Sequence, residues 1–252
     1  MSFTGKVIAI TGAASGIGLA LTHHLASLGA SLSLADISST PLETLTTELR
    51  AAGTKVLSTP LDVSSSPAVD AWVTSTISQF GRLDGAANLA GIGMDFTNVA
   101  DVTDDLWERV LAVNLSGTMF CVRAQVRVMQ KGASIVNAAS MAGVRGRPGL
   151  GPYVCAKHGV VGLTRTVARE VGEGGVRVNA VAPGPIETPM LQTLLDSAPT
   201  STSGATTATY STLPLQRKGQ ADEVARVIGF LLSDEASFMT GAIVPVDGGA
   251  TA

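Results

Sequence analysis

The sequence predicts an α/β fold in which helices cover both faces of a parallel sheet. Short apolar runs typical of buried strands alternate with longer segments of helical periodicity along all 252 residues. Six strand–helix pairs are followed by one last strand, which gives a doubly wound sheet of seven strands. No linker or internal repeat interrupts this alternation. We therefore expect residues 1–252 to form a single domain.

Composition and charge exclude several classes of protein. The net charge is −3, and no cluster of lysine and arginine indicates contact with nucleic acid. The apolar runs are far shorter than the ~18 residues that a membrane span needs. The segment Met1–Lys6 enters a strand at once, which leaves no room for a signal peptide. We expect a cytoplasmic protein that binds neither nucleic acid nor membranes.

The cysteines and histidines form no recognisable metal motif. Cys121 and Cys155 are far apart in the chain, and the histidines at positions 23, 24 and 158 cluster with no carboxylate or thiol. In a cytoplasmic protein both thiols should be reduced. We expect Cys155 to pack against its neighbours, and we expect no metal site.

A glycine-rich turn joins the first strand, Lys6–Ile10, to a helix over about residues 17–28. The turn reads Thr-Gly-Ala-Ala-Ser-Gly-Ile-Gly over residues 11–18. Glycines at positions 12, 16 and 18 let the backbone approach a pyrophosphate, whose charge the helix N-terminus stabilises. Strand, glycine turn and helix in this order predict a dinucleotide site.

The second strand, Ser31–Ala35, ends in Asp36. An acidic residue about 20 positions beyond such a turn holds the ribose hydroxyls of NAD. The 2′-phosphate of NADP would be repelled there. No arginine or lysine at Ser15, Ile37 or Ser38 offsets that repulsion. The sequence therefore predicts NAD rather than NADP, although Asp36 could also simply cap the following turn.

Two more turns follow predicted strands, at Asp62-Val63 and at Asn88–Gly91. The carboxyl ends of strands are where open α/β sheets bind ligands. The spacing alone is equally compatible with ordinary turns. A long helix over about residues 104–129 contains Asn114, whose amide needs partners if it is buried. A water chain, simple packing or a helix kink would each satisfy it.

The stretch from Ser140 to Lys157 carries the strongest chemical pattern. A strand over residues 133–139 delivers Ser140, and Tyr153 and Lys157 lie one turn apart on a helix over about residues 152–172. A phenol with a pKa near ~10 is a poor base at neutral pH. An ammonium one turn away favours the phenolate by roughly 3–4 kcal/mol. The pair alone is also compatible with an ordinary amphipathic helix.

The segment of residues 185–213 follows the sixth strand and becomes rich in Ser, Thr and Ala from residue 189 onward. We expect an irregular lid over the site here, with a plain surface loop as the alternative. A helix over about residues 222–232 and a strand over residues 242–246 complete the chain.

These motifs, in this order, resemble the short-chain dehydrogenase/reductase family along essentially the whole chain. The resemblance rests on Thr11-Gly-x-x-x-Gly-x-Gly18, Asn88-x-Ala-Gly91, Asn114, Ser140, Tyr153-x-x-x-Lys157 and Pro183-Gly184. It implies a Rossmann-type doubly wound seven-stranded parallel sheet and a homotetramer or homodimer. One departure is Leu89, where the family most often has a second asparagine.

The resemblance also implies a role for each matching residue. Tyr153 would donate or accept the proton, and Ser140 would orient the substrate oxygen. Lys157 would lower the tyrosine pKa and hold the nicotinamide ribose. Asn114 would position a water that relays protons. The cofactor would contact Gly12, Ser15, Gly16, Ile17 and Gly18 at the pyrophosphate, Asp36 at the adenosine ribose, Asp62, Val63, Asn88, Ala90 and Gly91 around the adenosine, and Pro183, Gly184, Ile186 and Thr188 at the carboxamide.

The sequence thus favours an NAD-dependent oxidoreductase that interconverts a secondary alcohol and a ketone. An NADPH-dependent carbonyl reductase, a non-catalytic dinucleotide-binding protein and a member repurposed for cyclisation or isomerisation are the alternatives. Residues 92–96, 141–150 and 185–213 would form a pocket for a medium-sized, largely hydrophobic ligand. Arg145 and Arg147 could recognise a carboxylate there or could be ordinary exposed loop arginines.

Overall fold

A computed structural model describes residues 1–197 and 213–252. Its strands form one parallel sheet of seven strands in the order β3-β2-β1-β4-β5-β6-β7. They are β1 Val7–Thr11, β2 Ser31–Asp36, β3 Val56–Pro60, β4 Gly85–Asn88, β5 Ser134–Ala138, β6 Arg177–Pro183 and β7 Ile243–Val246. The predicted Rossmann-type, doubly wound architecture is therefore confirmed.

The helices connect these strands and cover both faces of the sheet. Their bounds are α1 Gly16–Ser27, α2 Ser39–Ala51, α3 Ser66–Phe80, α4 Asp104–Leu111, α5 Thr118–Val126, α6 Gly151–Val171, α7 Pro189–Asp196 and α8 Ala221–Leu232. Short 3₁₀ helices span Val99–Asp101, Met141–Gly143 and Asp234–Ala236. None of the helices in the two described ranges is long and apolar enough to cross a membrane.

Alternation along the strands divides the core into two layers. On one side Ile8 and Ile10 pack with apolar residues of α1, α2 and α8. On the other side Val7 and Ala9 pack with apolar residues of α3, α5 and α6. Successive strand side chains point to opposite faces, so an apolar run such as β1 is buried on both. The loops at the carboxyl ends of the strands are left to build a site.

The strand order reverses between β1 and β4, where open α/β sheets form their binding crevice. Thr11 ends β1 and lies in register with Asn88, the last residue of β4. The buried Thr11 hydroxyl accepts hydrogen bonds from the backbone N–H groups of Leu89 and Ala90, each at 3.1 Å. The turns after β1 and β4 are thus fixed to each other at the crevice.

The long helix predicted over residues 104–129 differs from the structure in its middle and at its end. Residues Ala112–Gly117 form a π-helical turn between α4 and α5, and α5 ends at Val126. The Nδ2 of Asn114 donates to the backbone oxygen of Val110 at 3.1 Å. An amide that bonds the carbonyl four residues earlier replaces the regular helical ladder locally, which accounts for the wider turn.

The prediction of an irregular segment after residue 188 is wrong for its first part. Residues Pro189–Asp196 form helix α7. Proline suits the first helical position, and the Thr188 side chain caps the helix by accepting from the N–H of Leu191 at 3.4 Å. The shift to Ser, Thr and Ala was placed at residue 189, but residues 189–196 still carry Met and Leu and the shift lies after this helix. Residues 198–212, which contain the rest of the predicted lid, lie outside the described residues.

Candidate active site

Two adjoining cavities lie at the carboxyl edge of the sheet. One of about 510 Å³ runs past the N-terminus of α1 to Asp36. The other, of about 200 Å³, contains Ser140, Tyr153 and Lys157. Several residues line both, so the two cavities share a wall: Ile17, Leu89, Gly91, Ala138, Pro183, Thr188 and Met190.

The glycine turn shapes the larger cavity as a cradle for an anion. A Cβ on Gly18 would lie 1.9 Å from the backbone oxygen of Gly12, so only glycine permits this contact between helix and turn. Gly12 has a φ of +67°, a left-handed conformation that favours glycine. The N-cap residue of α1, Ser15, makes no side-chain capping bond, and the first turn of α1 carries no acidic residue. Backbone N–H groups at this helix end therefore suit a pyrophosphate.

Asp36 is the last residue of β2 and lines the larger cavity. Its Oδ2 accepts from the N–H of Ala14 and its Oδ1 from the N–H of Ser38, both at 2.9 Å. The residue is 8% exposed. Two backbone donors hold the carboxylate in one orientation, and each oxygen keeps further acceptor capacity for ribose hydroxyls.

Ser140 and Tyr153 meet in the smaller cavity. The Ser140 hydroxyl accepts from the N–H of Ala142 at 3.1 Å and also interacts with the tyrosine phenol. Burial raises the pKa of Tyr153, because the phenolate is the form that loses solvation, and the hydrogen bond with Ser140 opposes this rise. The phenol is thus protonated at neutral pH.

Lys157 lies one helical turn beyond the tyrosine and is 4% exposed. Its Nζ donates to the backbone oxygen of Ala138 at 2.8 Å and is 5.6 Å from the centroid of the Tyr153 ring. Burial lowers the pKa of Lys157 to about 8. Desolvation is the largest influence on both groups in this structure, and the lowering of the tyrosine pKa by Lys157 stays a prediction.

Asn114 is fully buried and does not line either cavity. Its Oδ1 accepts from the N–H of Ile92 at 3.2 Å, and its Nδ2 donates to the oxygen of Ile92 at 3.1 Å. The amide therefore pairs with both backbone groups of one residue in the loop after β4. Together with the bond to Val110, these bonds pin that loop to the π-helical turn.

Asn88 does not line the cavities either, although a role near the cofactor was expected for it. Its Nδ2 donates to Gln125 and Asn137, each at 3.0 Å, and its Oδ1 accepts from Gln125 at 2.8 Å. Asn137 donates in turn to the hydroxyl of Thr164 at 3.0 Å. The Asn88 side chain is thus used inside the protein, where it joins β4 to α5, β5 and α6.

The structure brings the other predicted residues together along the two cavities. The larger one is lined by Gly12, Ser15, Gly16, Ile17, Gly18, Asp36, Asp62, Val63, Ala90, Gly91, Pro183 and Thr188. The smaller one adds Ser140, Tyr153, Lys157, Gly184 and Ile186. Sequence reasoning missed Arg109 and Val113 on the helix after the β4 loop, because nothing in their spacing indicates that this helix reaches the cavity.

The smaller cavity has apolar walls on most sides. Met94, Phe96, Met141 and Leu150 come from two loops that a backbone bond from Thr97 to Gly149 joins at 2.9 Å, and α7 adds further apolar side chains, namely Met190, Leu191, Leu194 and Leu195. These α7 residues belong to the segment 185–213 that was predicted to line the pocket, but they lie on a helix rather than in an irregular loop. A medium-sized hydrophobic ligand suits such walls.

The remaining chemistry-bearing residues stay outside these cavities. Cys121 is buried, and burial raises the pKa of its thiol to about 12. The expectation that Cys155 packs against its neighbours is wrong, because it lies on an exposed part of α6. Within residues 1–197 and 213–252, no three histidine, cysteine or acidic side chains converge as a metal site would require.

Comparisons with known proteins match nearly the whole chain. A family model described as enoyl-(acyl carrier protein) reductase matches residues 12–251. The short-chain dehydrogenase/reductase aba4 of Botryotinia fuckeliana is 47% identical over 251 residues, which cover 98% of this chain and 97% of the relative.

The chain belongs to the short-chain dehydrogenase/reductase family.

Other members of the family agree in sequence and in structure. Levodione reductase of Leifsonia aquatica is 41% identical over 255 residues, covering 99% of this chain and 96% of the relative. A crystal structure of levodione reductase superimposes with a TM-score of 0.94 over 98% of both chains at 41% identity. NAD⁺-bound xylitol dehydrogenase gives a TM-score of 0.92 at 34% identity, over 99% of this chain and 100% of that one.

Membership of the short-chain dehydrogenase/reductase family makes the protein an oxidoreductase acting on a CH–OH group or its carbonyl counterpart. A nicotinamide cofactor is expected of this family. The larger cavity fits such a group, because Gly18 lets the first turn of α1 pack against the backbone of Gly12, and the N-terminus of α1 at this wall has no side-chain cap.

Proposed function

We propose that this protein is an NAD-dependent oxidoreductase that interconverts a secondary alcohol and a ketone. The arrangement of Ser140, Tyr153 and Lys157 in a cavity that shares a wall with the glycine cradle carries the proposal. A proton-transfer group and a dinucleotide site next to each other provide what removal of a proton and a hydride from one alcohol requires.

The residues along the larger cavity would hold the cofactor. Gly12, Ser15, Gly16, Ile17 and Gly18 would surround the pyrophosphate, Asp36 would bind the adenosine ribose, Asp62, Val63, Ala90 and Gly91 would flank the adenosine, and Pro183, Gly184, Ile186 and Thr188 would enclose the carboxamide end. When bound, NAD supplies the acceptor for the hydride in oxidation, and NADH supplies the hydride in reduction.

Tyr153 would serve as the acid and base. Its phenol is protonated at neutral pH, so it is ready to donate a proton to a ketone oxygen during reduction. During oxidation the phenolate would accept the hydroxyl proton of the alcohol. The hydroxyl of Ser140, which already interacts with the phenol, would donate to the same substrate oxygen and fix its position between the two side chains.

Lys157 and Asn114 would support Tyr153 and Ser140. The Lys157 ammonium sits at the base of the cavity, held by Ala138, where it would bind the nicotinamide ribose and stabilise charge on the phenolate. Asn114 would keep the loop after β4 in place through its two bonds to Ile92. Both N–H groups of its Nδ2 are engaged, so a relay water at Asn114 would bond to an oxygen, either Oδ1 or the backbone carbonyl.

Cofactor choice would follow from Asp36, whose fixed carboxylate would repel the 2′-phosphate of NADP. One observation favours the alternative, an NADPH-dependent carbonyl reductase: Arg109 lines the same cavity. A short-chain dehydrogenase from Burkholderia cenocepacia in complex with NADP also superimposes with a TM-score of 0.91 at 29% identity, over the whole of both chains.

The experiment that tests cofactor choice compares kcat/KM for NAD⁺ and NADP⁺ in the wild type and in Asp36→Asn. We predict that the wild type prefers NAD⁺ by more than about tenfold, the effect of ~1.4 kcal/mol of charge repulsion. Asp36→Asn should reduce this preference, mainly by improving KM for NADP⁺. A wild type that prefers NADP⁺ would overturn the proposal in favour of the alternative.

The apolar walls of the smaller cavity support a largely hydrophobic substrate. One relative, 40% identical over 252 residues, is a 2,5-dichloro-2,5-cyclohexadiene-1,4-diol dehydrogenase of Sphingobium indicum, which acts on an alcohol borne by a six-membered ring. We extend this to compact ring alcohols and ketones as the first compounds to assay. The segment from Pro185 through α7 would cover the bound substrate. The chain would form a single domain that assembles as a homotetramer or homodimer. The enzyme would work in the cytoplasm.

A further inference from the structure

The charge of the smaller cavity is unbalanced. Among its described lining residues two carry positive charge, Arg147 and Lys157, and none is acidic. Lys157 is buried at the end where the tyrosine lies and bonds to Ala138. Arg147 comes instead from the loop before α6 and lines the cavity together with Phe96, Met141 and Leu150. An apolar cavity with a cation in its wall is complementary to a ligand that is apolar in its body and anionic at one point.

The two arginines of this loop are used differently. Arg145 is exposed and turned away from the cavity, and its Nη1 donates to the backbone oxygen of Ala250 near the end of the chain at 2.6 Å. Arg147 is half-buried and lines the cavity. The backbone bond from Thr97 to Gly149 holds the loop close to this position. Of the two arginines, Arg147 therefore places its positive charge in the cavity wall, and Arg145 does not line the cavity.

We propose that Arg147 determines substrate specificity by binding a carboxylate on the alcohol or ketone. A guanidinium offers a planar fork of N–H donors that matches a carboxylate with two parallel hydrogen bonds. The inference rests on the proposed function, because it takes Tyr153 and Ser140 as the groups that meet the reacting oxygen in the same cavity.

The volume of the smaller cavity limits the size of the substrate. It measures about 200 Å³, and the carboxamide end of the cofactor would fill the part next to Pro183 and Thr188. An apolar cavity of ~150 Å³ accommodates one benzene ring, so the substrate body has room for about one ring at most. A substrate body of about one six-membered ring, with an oxygen to be oxidised or reduced and a separate carboxylate, satisfies both the size and the charge. The class we assign is therefore a compact hydroxy acid or keto acid.

The test measures the ratio of kcat/KM for a keto acid to that for its uncharged methyl ester, with NADH as reductant. The pairs are 4-oxocyclohexanecarboxylate, 3-oxocyclohexanecarboxylate and 5-oxohexanoate, each with its ester. We expect the wild type to prefer at least one acid by about tenfold or more. Arg147→Gln should bring that ratio close to one, and Arg147→Lys should give an intermediate ratio, because it keeps the charge and loses the fork.

Arg145→Gln is the matched control, and it should leave the acid-to-ester ratio unchanged. Melting curves and NADH binding establish that each variant is folded and binds cofactor. The inference is overturned if the wild type reduces ketones but no acid is preferred over its ester, or if Arg147→Gln keeps the preference. Absence of turnover with these ketones and with a broad panel of secondary alcohols and ketones would instead overturn the proposed function itself.

Discussion

At the scale of single residues, desolvation controls the chemistry of the Tyr153–Lys157 pair. Both side chains lie in a low-dielectric cavity, and each is pushed towards its neutral form: the tyrosine pKa rises, and the lysine pKa falls to about 8. The sequence shows that the two groups are one helical turn apart, but it does not show how deeply they are buried. That depth decides which protonation state the site holds at rest.

The pH dependence of the reaction should differ between its two directions. Oxidation needs the phenolate of Tyr153, whose pKa is raised, so its kcat/KM should rise as the pH increases from 6 to 8, where Lys157 still carries its charge. Reduction needs the phenol, so its kcat/KM should be flat near neutrality and fall at alkaline pH. Initial rates in both directions across this range provide the measurement. An oxidation rate that falls with increasing pH would contradict the assignment of Tyr153 as the base.

Lys157 should cost the protein stability at neutral pH. Its pKa falls from 10.5 to about 8, so the unfolded chain binds the extra proton between these values, and stability rises with pH across that window. Below pH 8 the folded state bears the full penalty of about 3 kcal/mol. Replacing Lys157 with Met removes this penalty and loses one hydrogen bond worth about 1 kcal/mol.

We therefore predict that Lys157→Met stabilises the cofactor-free protein by about 2 kcal/mol at pH 7, as measured by urea unfolding. The gain should shrink between pH 8 and pH 10.5. Lys131→Met, at an exposed position, is the control and should change stability by less than about 0.5 kcal/mol. Destabilisation by Lys157→Met at pH 7 would show that the ammonium is better solvated than its burial indicates.

At the scale of secondary-structure elements, buried polar side chains fix the strand ends that carry the site. Asn88, Gln125, Asn137 and Thr164 connect two strands and two helices through hydrogen bonds between buried groups. Asn114 performs the same task for the loop after β4. A fully satisfied buried network is rigid, and removing one member leaves the others unpaired. These amides give the cavity walls a fixed geometry.

Replacing Asn88 with Ala should therefore act on stability rather than on cofactor contact. The substitution deprives both Gln125 and Asn137 of a partner, and we expect a loss of about 2–4 kcal/mol in the free energy of unfolding. Any rise in KM for NAD⁺ should be small in protein that is still folded. Asn98→Ala, at an exposed asparagine, is the control and should be nearly neutral.

The opposite pattern at Asn88 would restore its sequence-based role. If Asn88→Ala left the urea midpoint unchanged and raised KM for NAD⁺ at least tenfold, the side chain would have to reach the cofactor. The network described above would then rearrange on binding.

At the scale of the whole molecule, the order of elements was predictable and their mutual burial was not. The alternation of apolar runs and helices gave the seven parallel strands, because buried strands and amphipathic helices leave different periodicities in a sequence. Helix α7 was missed because its cap, Thr188, and Pro189 precede a polar segment that dominates the composition of the region.

The residues of the candidate site likewise fall into those that the sequence predicts and those that only the structure shows. The glycine turn, Asp36, Ser140, Tyr153 and Lys157 were predictable because each belongs to a spaced motif at a strand end. The inward placement of Asn88, the backbone pairing of Asn114 and the participation of Arg109 depend on contacts between elements distant in sequence. No periodicity encodes such contacts, and only the packed structure shows them.

The most direct test of the central claim is NADH formation from a panel of secondary alcohols and NAD⁺, in the wild type and in Tyr153→Phe. We predict turnover by the wild type and a loss of about 10²–10⁴-fold in kcat/KM for the variant. NADH binding should be retained, since the ring remains and only the hydroxyl is lost. Turnover that survives in Tyr153→Phe, or a product formed without net change in NADH, would contradict the proposed role of this site in alcohol oxidation.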